Sequence, residues 1–140
     1  MDNLTRQHRE LVKIATVIFG WLDVGKLQRG AGEAHRALSS LTGLLNVHLA
    51  MEDRSLYPRL LEHDDPQLRA LAKRFLDERG QLYDEFERYR RHFSSTAAIE
   101  AEPAAFVDET RAVLGLLWNR MKLEDDVLHP EIVRRFAHEA

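Results

Sequence analysis

The stretch His48-Leu49-Ala50-Met51-Glu52-Asp53-Arg54-Ser55-Leu56-Tyr57-Pro58 decides the fold. His48 and Glu52 stand four residues apart, so on a helix they share one face. Followed backwards, that face takes in Leu45, Leu41 and Leu38, the alternating three- and four-residue spacing of a helix packed against partners. Followed forwards, it reaches Ser55, with Leu56 beside it, and then Pro58, which should kink or end the helix. A second copy runs from Arg120 through Glu124 and Asp125 to Leu128, His129 and Pro130. Glu, Asp, Leu and Pro recur in the same register, and Leu123 answers Met51.

Four such stripes can be traced, the second and fourth carrying this pair. The first holds Leu4, His8, Leu11, Ala15, Ile18 and Leu22 and fades at Gly25, before a loop marked by Gly30 and Gly32. The third holds Leu68, Ala72, Phe75, Arg79, Leu82, Phe86, Tyr89 and Phe93, and follows Asp64-Asp65-Pro66, a capping residue with a proline suited to a first turn. Ser94-Ser95-Thr96 breaks it. The fourth opens near Pro103 and holds Phe106, Thr110, Val113, Leu117, Arg120, Glu124 and Val127. No segment alternates with period two over a useful length. The chain is therefore read as all-α, one domain over 1–140, with helices over 3–24, 33–62, 66–93 and 103–137. Short connections make neighbouring helices antiparallel, an up-down four-helix bundle. A weaker echo of Gln7-His8-Arg9-Glu10-Leu11 in Glu78-Arg79-Gly80-Gln81-Leu82 makes the bundle two related hairpins, with helix two facing helix four.

The chain has 140 residues, 44% of them hydrophobic, with no cysteine and a net charge of −3. That is enough apolar material for one core, and it excludes disulfides, thiolate metal sites and a cysteine nucleophile. The acidic balance speaks against a nucleic-acid partner, and the run Arg88-Tyr89-Arg90-Arg91-His92 is read as a solvated helix end. The longest run free of Asp, Glu, Lys and Arg, around Leu38–Met51, is shorter than the ~20 residues that span a bilayer. The first residues are polar and charged, unlike a secretory signal, so no membrane association and a cytoplasmic location are expected. Trp21, Trp118, Phe19, Phe75 and Phe86 are expected in the core.

His8, His48, Glu52, Arg79, Arg120 and Glu124 all fall on inward positions, where polar groups are costly unless paired, coordinated or hydrated. Imidazole and carboxylate on one helix face suit iron, manganese or zinc. On His8, the His48-x-x-x-Glu52 pair with Asp53, Leu56, Tyr57 and Pro58, and Glu124-Asp125 with Leu128, His129 and Pro130, the sequence resembles the hemerythrin-like (HHE cation-binding) family over nearly its whole length. The resemblance implies a bundle holding two irons, with a role in carrying or sensing oxygen, answering nitric oxide or peroxide, or regulating iron. It also implies a histidine on helix three and a His-x-x-x-Glu pair on helix four. This chain has Arg79 and Arg120 at those histidine positions.

The residual ligand positions are thus His8, His48, Glu52 and Glu124. Arginine has no lone pair to give and stays protonated, so Arg79 and Arg120 are expected to act as counter-ions for the two glutamates where irons would have done so. An ordinary di-iron centre is not expected. Iron remains compatible with the reduced set, one ion on His8, His48 and Glu52 more readily than two. Glu78, Glu85 and Asn119 are near enough in sequence to add oxygen ligands, but nothing selects them. His129 is read as a packing or surface residue, and His35, His63, His92 and His138 as solvated. No catalytic residue is assigned and no enzyme is expected; an iron-dependent oxidase or peroxidase would need a redox route the sequence does not show. The reading is a non-catalytic binding, sensory or regulatory module. The alternative is an iron-binding protein with one or two non-standard irons that senses or carries oxygen or nitric oxide. A protein partner or small ligand, and a homodimer through the outer faces, fit either reading.

Overall fold

A computed structural model of the chain describes residues 2–137; His138 lies outside them. The element order is α1 (Asp2–Phe19), α2 (Val24–Arg29), α3 (Gly32–Met51), a π-helical turn (Glu52–Leu56), α4 (Tyr57–Leu61), α5 (Pro66–His92), α6 (Thr96–Ala101), α7 (Pro103–Leu123), a second π-helical turn (Glu124–Leu128) and α8 (His129–Ala137). No strand occurs among the described residues. α1 packs on α3 and α7, and α5 packs on α7 and α4. His8, early in α1, lies beside His48, late in α3, so those two helices run in opposite directions.

The longest helix, α5, starts where a side chain caps it. Asp65 accepts from the Gln67 N–H at 2.8 Å, with Pro66 in the first turn of α5. Arg135 of α8 reaches back to Asp65 and Gln67 and ties the last helix to this start. The first helix is shorter than the reading of 3–24. It ends at Phe19, and Asp23 then caps a separate short helix by accepting from the Lys26 N–H at 2.8 Å. A residue that bonds its own backbone in this way competes with helix continuation. Ser95 likewise caps α6, a helix the apolar pattern did not predict.

The two prolines are accommodated without breaking their helices. A proline lacks the N–H of the regular ladder and its ring crowds the carbonyl four residues back. Just before each proline the ladder widens by one residue: the Tyr57 N–H bonds to the Glu52 carbonyl and the His129 N–H to the Glu124 carbonyl. The extra residue rotates the remainder of the helix about its axis. Inward positions therefore move from Ser55, which is exposed, to Leu56, and from Val127, which is 37% exposed, to Leu128, which is fully buried. Such turns recur at functional sites, and here each begins on a glutamate of the polar seam.

Two apolar clusters form the core. One is built around Leu11, Leu41, Leu45, Phe86, Phe106 and Leu117, the other around Leu4, Leu56, Tyr57, Phe75 and Leu128. In every long helix the polar seam residue falls between a member of one cluster and a member of the other, so the polar layer sits between them. Phe75 and Phe86 are buried as expected. Trp118 and Phe19 are not: they are 49% and 47% exposed. Each follows an inward residue, Leu117 and Ile18, and one step along a helix turns a side chain about 100° away. Trp21 is half-buried, with the Lys26 ammonium 4.2 Å from its ring centroid.

Candidate metal centre

The bundle brings His8, His48, Glu52, Arg120 and Glu124 together between 1% and 7% exposed. Arg79 joins them from α5 with its side chain 15% exposed. The outer nitrogen of each histidine is occupied. His8 Nδ1 lies 2.9 Å from Asp125 Oδ1 and donates to it. His48 Nδ1 donates to Gln7 Oε1 at 2.8 Å, and Gln7 is held in that orientation because its amide nitrogen donates to Met51 Sδ. A neutral imidazole with its proton on Nδ1 carries a bare lone pair on Nε2. Both Nε2 lone pairs then face inward, 3.1 Å apart, where two lone pairs repel unless a cation or a proton stands between them.

Glu124 Oε1 completes a triangle, 3.0 Å from His8 Nε2 and 3.7 Å from His48 Nε2. Atoms bound about 2.0–2.2 Å from one ion at tetrahedral to octahedral angles lie about 3.0–3.5 Å apart. Two of the three separations fall in that range and the His48–Glu124 one, at 3.7 Å, lies just beyond it, so the donor set could hold one cation with a small closure of Glu124 on His48. Asp125 and Gln7 are the outer partners that orient ligating histidines in metal sites. The sequence alone pairs Glu52 with the histidines in place of Glu124. Glu52 Oε2 does stand 3.5 Å from His48 Nε2, but Arg79 Nη1 takes its other oxygen at 3.1 Å. The triad of ligand atoms within 4.8 Å of one another is His8, His48 and Glu124.

Each glutamate faces two ways. Glu124 gives Oε1 to His8 and Oε2 to Arg120 Nε at 3.2 Å. Glu52 turns Oε2 towards His48 and Oε1 towards Arg79. The arginines thus hold the far side of the carboxylates, where a second cation would compete for the same oxygens. Arg120 Nη2 also donates to the Tyr57 hydroxyl at 2.9 Å, and its guanidinium lies 4.8 Å from the centre of the Phe75 ring. Arg79 bridges outward to Asp53 and lies 5.1 Å from the centre of the Tyr57 ring. The identical aspartates of the repeat therefore do matching work, Asp53 on Arg79 and Asp125 on His8.

Charges respond to this crowding. Burial would lower the His48 pKa, but the carboxylates of Glu124 and Glu52 outweigh it and raise it to about 9. Burial works against ionised Glu124 as well, yet His48, His8, Glu52 and Arg120 hold it well below the usual carboxylate range. Burial dominates at Glu52 and pushes it up. Without metal, then, a proton on His48 separates the two imidazoles. Because its folded value lies above the ordinary 6.5, this proton stabilises the fold fully below about pH 6.5, and the contribution is lost as pH rises through about 9. A metal ion must displace it. Metal affinity should therefore rise about tenfold per pH unit up to about pH 9 and level off above. Competition with a chromophoric chelator at several pH values measures this, and a flat profile between pH 7 and 9 would remove His48 from the ligand set.

The remaining candidates lie elsewhere. Glu78, Glu85 and Asn119 are exposed on the outer side of α5 and α7. His129 is buried and stacks 6.0 Å from the His8 ring, with Nδ1 3.4 Å from Asp125 Oδ1; burial lowers its pKa. His92 pairs with Glu102 and Glu109, His35 with the Ser94 carbonyl, and His63 accepts from the Asp65 N–H. The orienting roles of Gln7 and Asp125 are not evident in the sequence, although each is adjacent to a ligand.

An all-helical bundle with a buried histidine–carboxylate group that could hold a metal ion defines the class. The hemerythrin HHE cation-binding domain profile matches residues 1–132, and the chain belongs to that family. No curated protein and no solved structure matches it. Among the described residues, no helix is long and apolar enough to cross a membrane.

Proposed function

We propose that this protein is a metal-binding module that holds one transition-metal ion on His8, His48 and Glu124, and that it works as a sensory or regulatory domain and not as an enzyme. The observation that carries the reading is the pair of Nε2 atoms 3.1 Å apart with both Nδ1 positions already donating outward. Two imidazoles and a carboxylate suit iron(II) among the divalent first-row ions. Bound there, such an ion would offer coordination positions that three protein ligands leave open, where a small molecule can bind. Leu11, Leu45 and Leu117 keep bulk water from this layer. Glu124 stays ionised at neutral pH and is engaged by Arg120, so it serves as a fixed anion and not as a proton donor; that supports the non-catalytic part of the reading.

The test is metal content after growth in iron-supplemented medium and purification without chelator or affinity metal. About one ion per chain is expected, falling below about a tenth of that in His48→Ala, since losing one of three ligands removes most of the binding energy. Two ions, or none, in the unaltered chain would overturn the proposal.

A further inference from the structure

Beside the two glutamates lies a partly open cavity of about 30 Å³, lined by both arginines and by His48. At about 10–15 Å³ for each water-sized group, that is room for about two or three such groups. Its walls are apolar, from Leu45, Leu82, Phe86, Leu117 and Met121, and its polar lining is His48, Glu52, Arg79, Arg120 and Glu124. Arg120 is 7% exposed. Its Nε and Nη2 are engaged by Glu124 and Tyr57, whereas Nη1 is buried with no hydrogen-bond partner among the described residues. A buried guanidinium N–H without an acceptor is costly, and it lines a space able to hold one.

Charge says which acceptor. At most, Glu52 and Glu124 cancel Arg79 and Arg120 within the buried layer, since burial pushes Glu52 towards its neutral form. A divalent ion on the histidine side leaves that layer with at least two positive charges. Asp53 and Asp125 carry the opposite sign, but their side chains are 57% and 38% exposed and solvent screens them. A water would satisfy Nη1 and leave the excess charge in place; a small anion answers both. We infer that this cavity binds one oxyanion of two or three heavy atoms, formate in size and charge, with an oxygen on Arg120 Nη1. The inference rests on the single-ion reading above, because the ion creates the charge the anion balances.

The test is calorimetric titration of the zinc(II)-loaded chain with sodium formate at constant ionic strength, with metal content measured on the same samples. Leu82→Phe narrows the cavity from its half-buried wall without altering a charge, and Arg120→Lys keeps the charge while losing the guanidinium fork. One formate per chain is expected, weakened about tenfold or more in both variants, with metal content unchanged in Leu82→Phe. Equal formate affinity in the unaltered chain and Leu82→Phe would put the anion on the metal and overturn the inference. Retained zinc with no formate heat overturns the anion site alone. A chain that retains no zinc overturns the single-ion reading, and this inference with it.

Discussion

Arg120→Ala should unfold far more easily than the unaltered chain in metal-free buffer. The change removes the Nε bond to Glu124, the Nη2 bond to Tyr57 and the cation over Phe75. It leaves Glu124, 2% exposed, with one counter-charge fewer. Breaking a buried pair from one side costs about 3–5 kcal/mol, and for a chain of this length that lowers Tm by about 10–20 °C. The lower end is expected, because protonated His48 still faces Glu124. Arg79→Ala should cost less, since that side chain is 15% exposed and burial already favours protonation of Glu52. The control is Arg120→Met with Glu124→Leu, which removes both charges and should regain most of the loss. If Arg120→Ala melts with the unaltered chain, the arginine does not neutralise the seam.

How much of this is legible from residues alone varies by level. Helical stripes locate the four long helices, because an inward face repeats whatever the partner. His8, His48, Arg79, Arg120 and Glu124 can be placed in the core because each interrupts such a stripe. The end of α1 misleads, since Leu22 continues the spacing although Asp23 caps a new helix. The π-helical turns leave a trace in the sequence: after His48 and Glu52 the apolar position steps to Leu56, one beyond Ser55, just before a proline. Residue type places Trp118 inside, against its own position beside Leu117. Which glutamate completes the triad is beyond the sequence, because it depends on which oxygen each arginine claims.

The two halves of the repeat have diverged in opposite chemical directions around the same pair of carboxylates. The first hairpin carries the imidazoles, whose facing lone pairs need a metal ion or a proton between them. The second supplies guanidinium groups, which are cations already. Glu52 and Glu124 lie at the boundary and give one oxygen to each side. A fixed positive charge on one side removes the need for metal there but leaves the demand of the other side intact. That is why the proposed site holds one ion and not two.

The same division predicts what a reversal would do. Arg79→His together with Arg120→His frees Glu52 Oε1 and Glu124 Oε2, the two oxygens the arginines now hold. It also places two imidazoles where two guanidinium groups stood, so four donors replace two fixed charges. Metal content should rise from about one ion per chain to about two, because carboxylates with a free oxygen on each side can bridge a pair of ions. The single substitutions should not achieve this: Arg79→His alone leaves Glu124 Oε2 on Arg120, and Arg120→His alone leaves Glu52 Oε1 on Arg79. Metal-free, the double variant should be the least stable of the set, having lost both counter-charges, and metal should restore it. The measurement is metal content with thermal melts before and after loading. A double variant that stays at one ion, yet melts like the unaltered chain, would mean that the arginines do not stand where a second ion belongs.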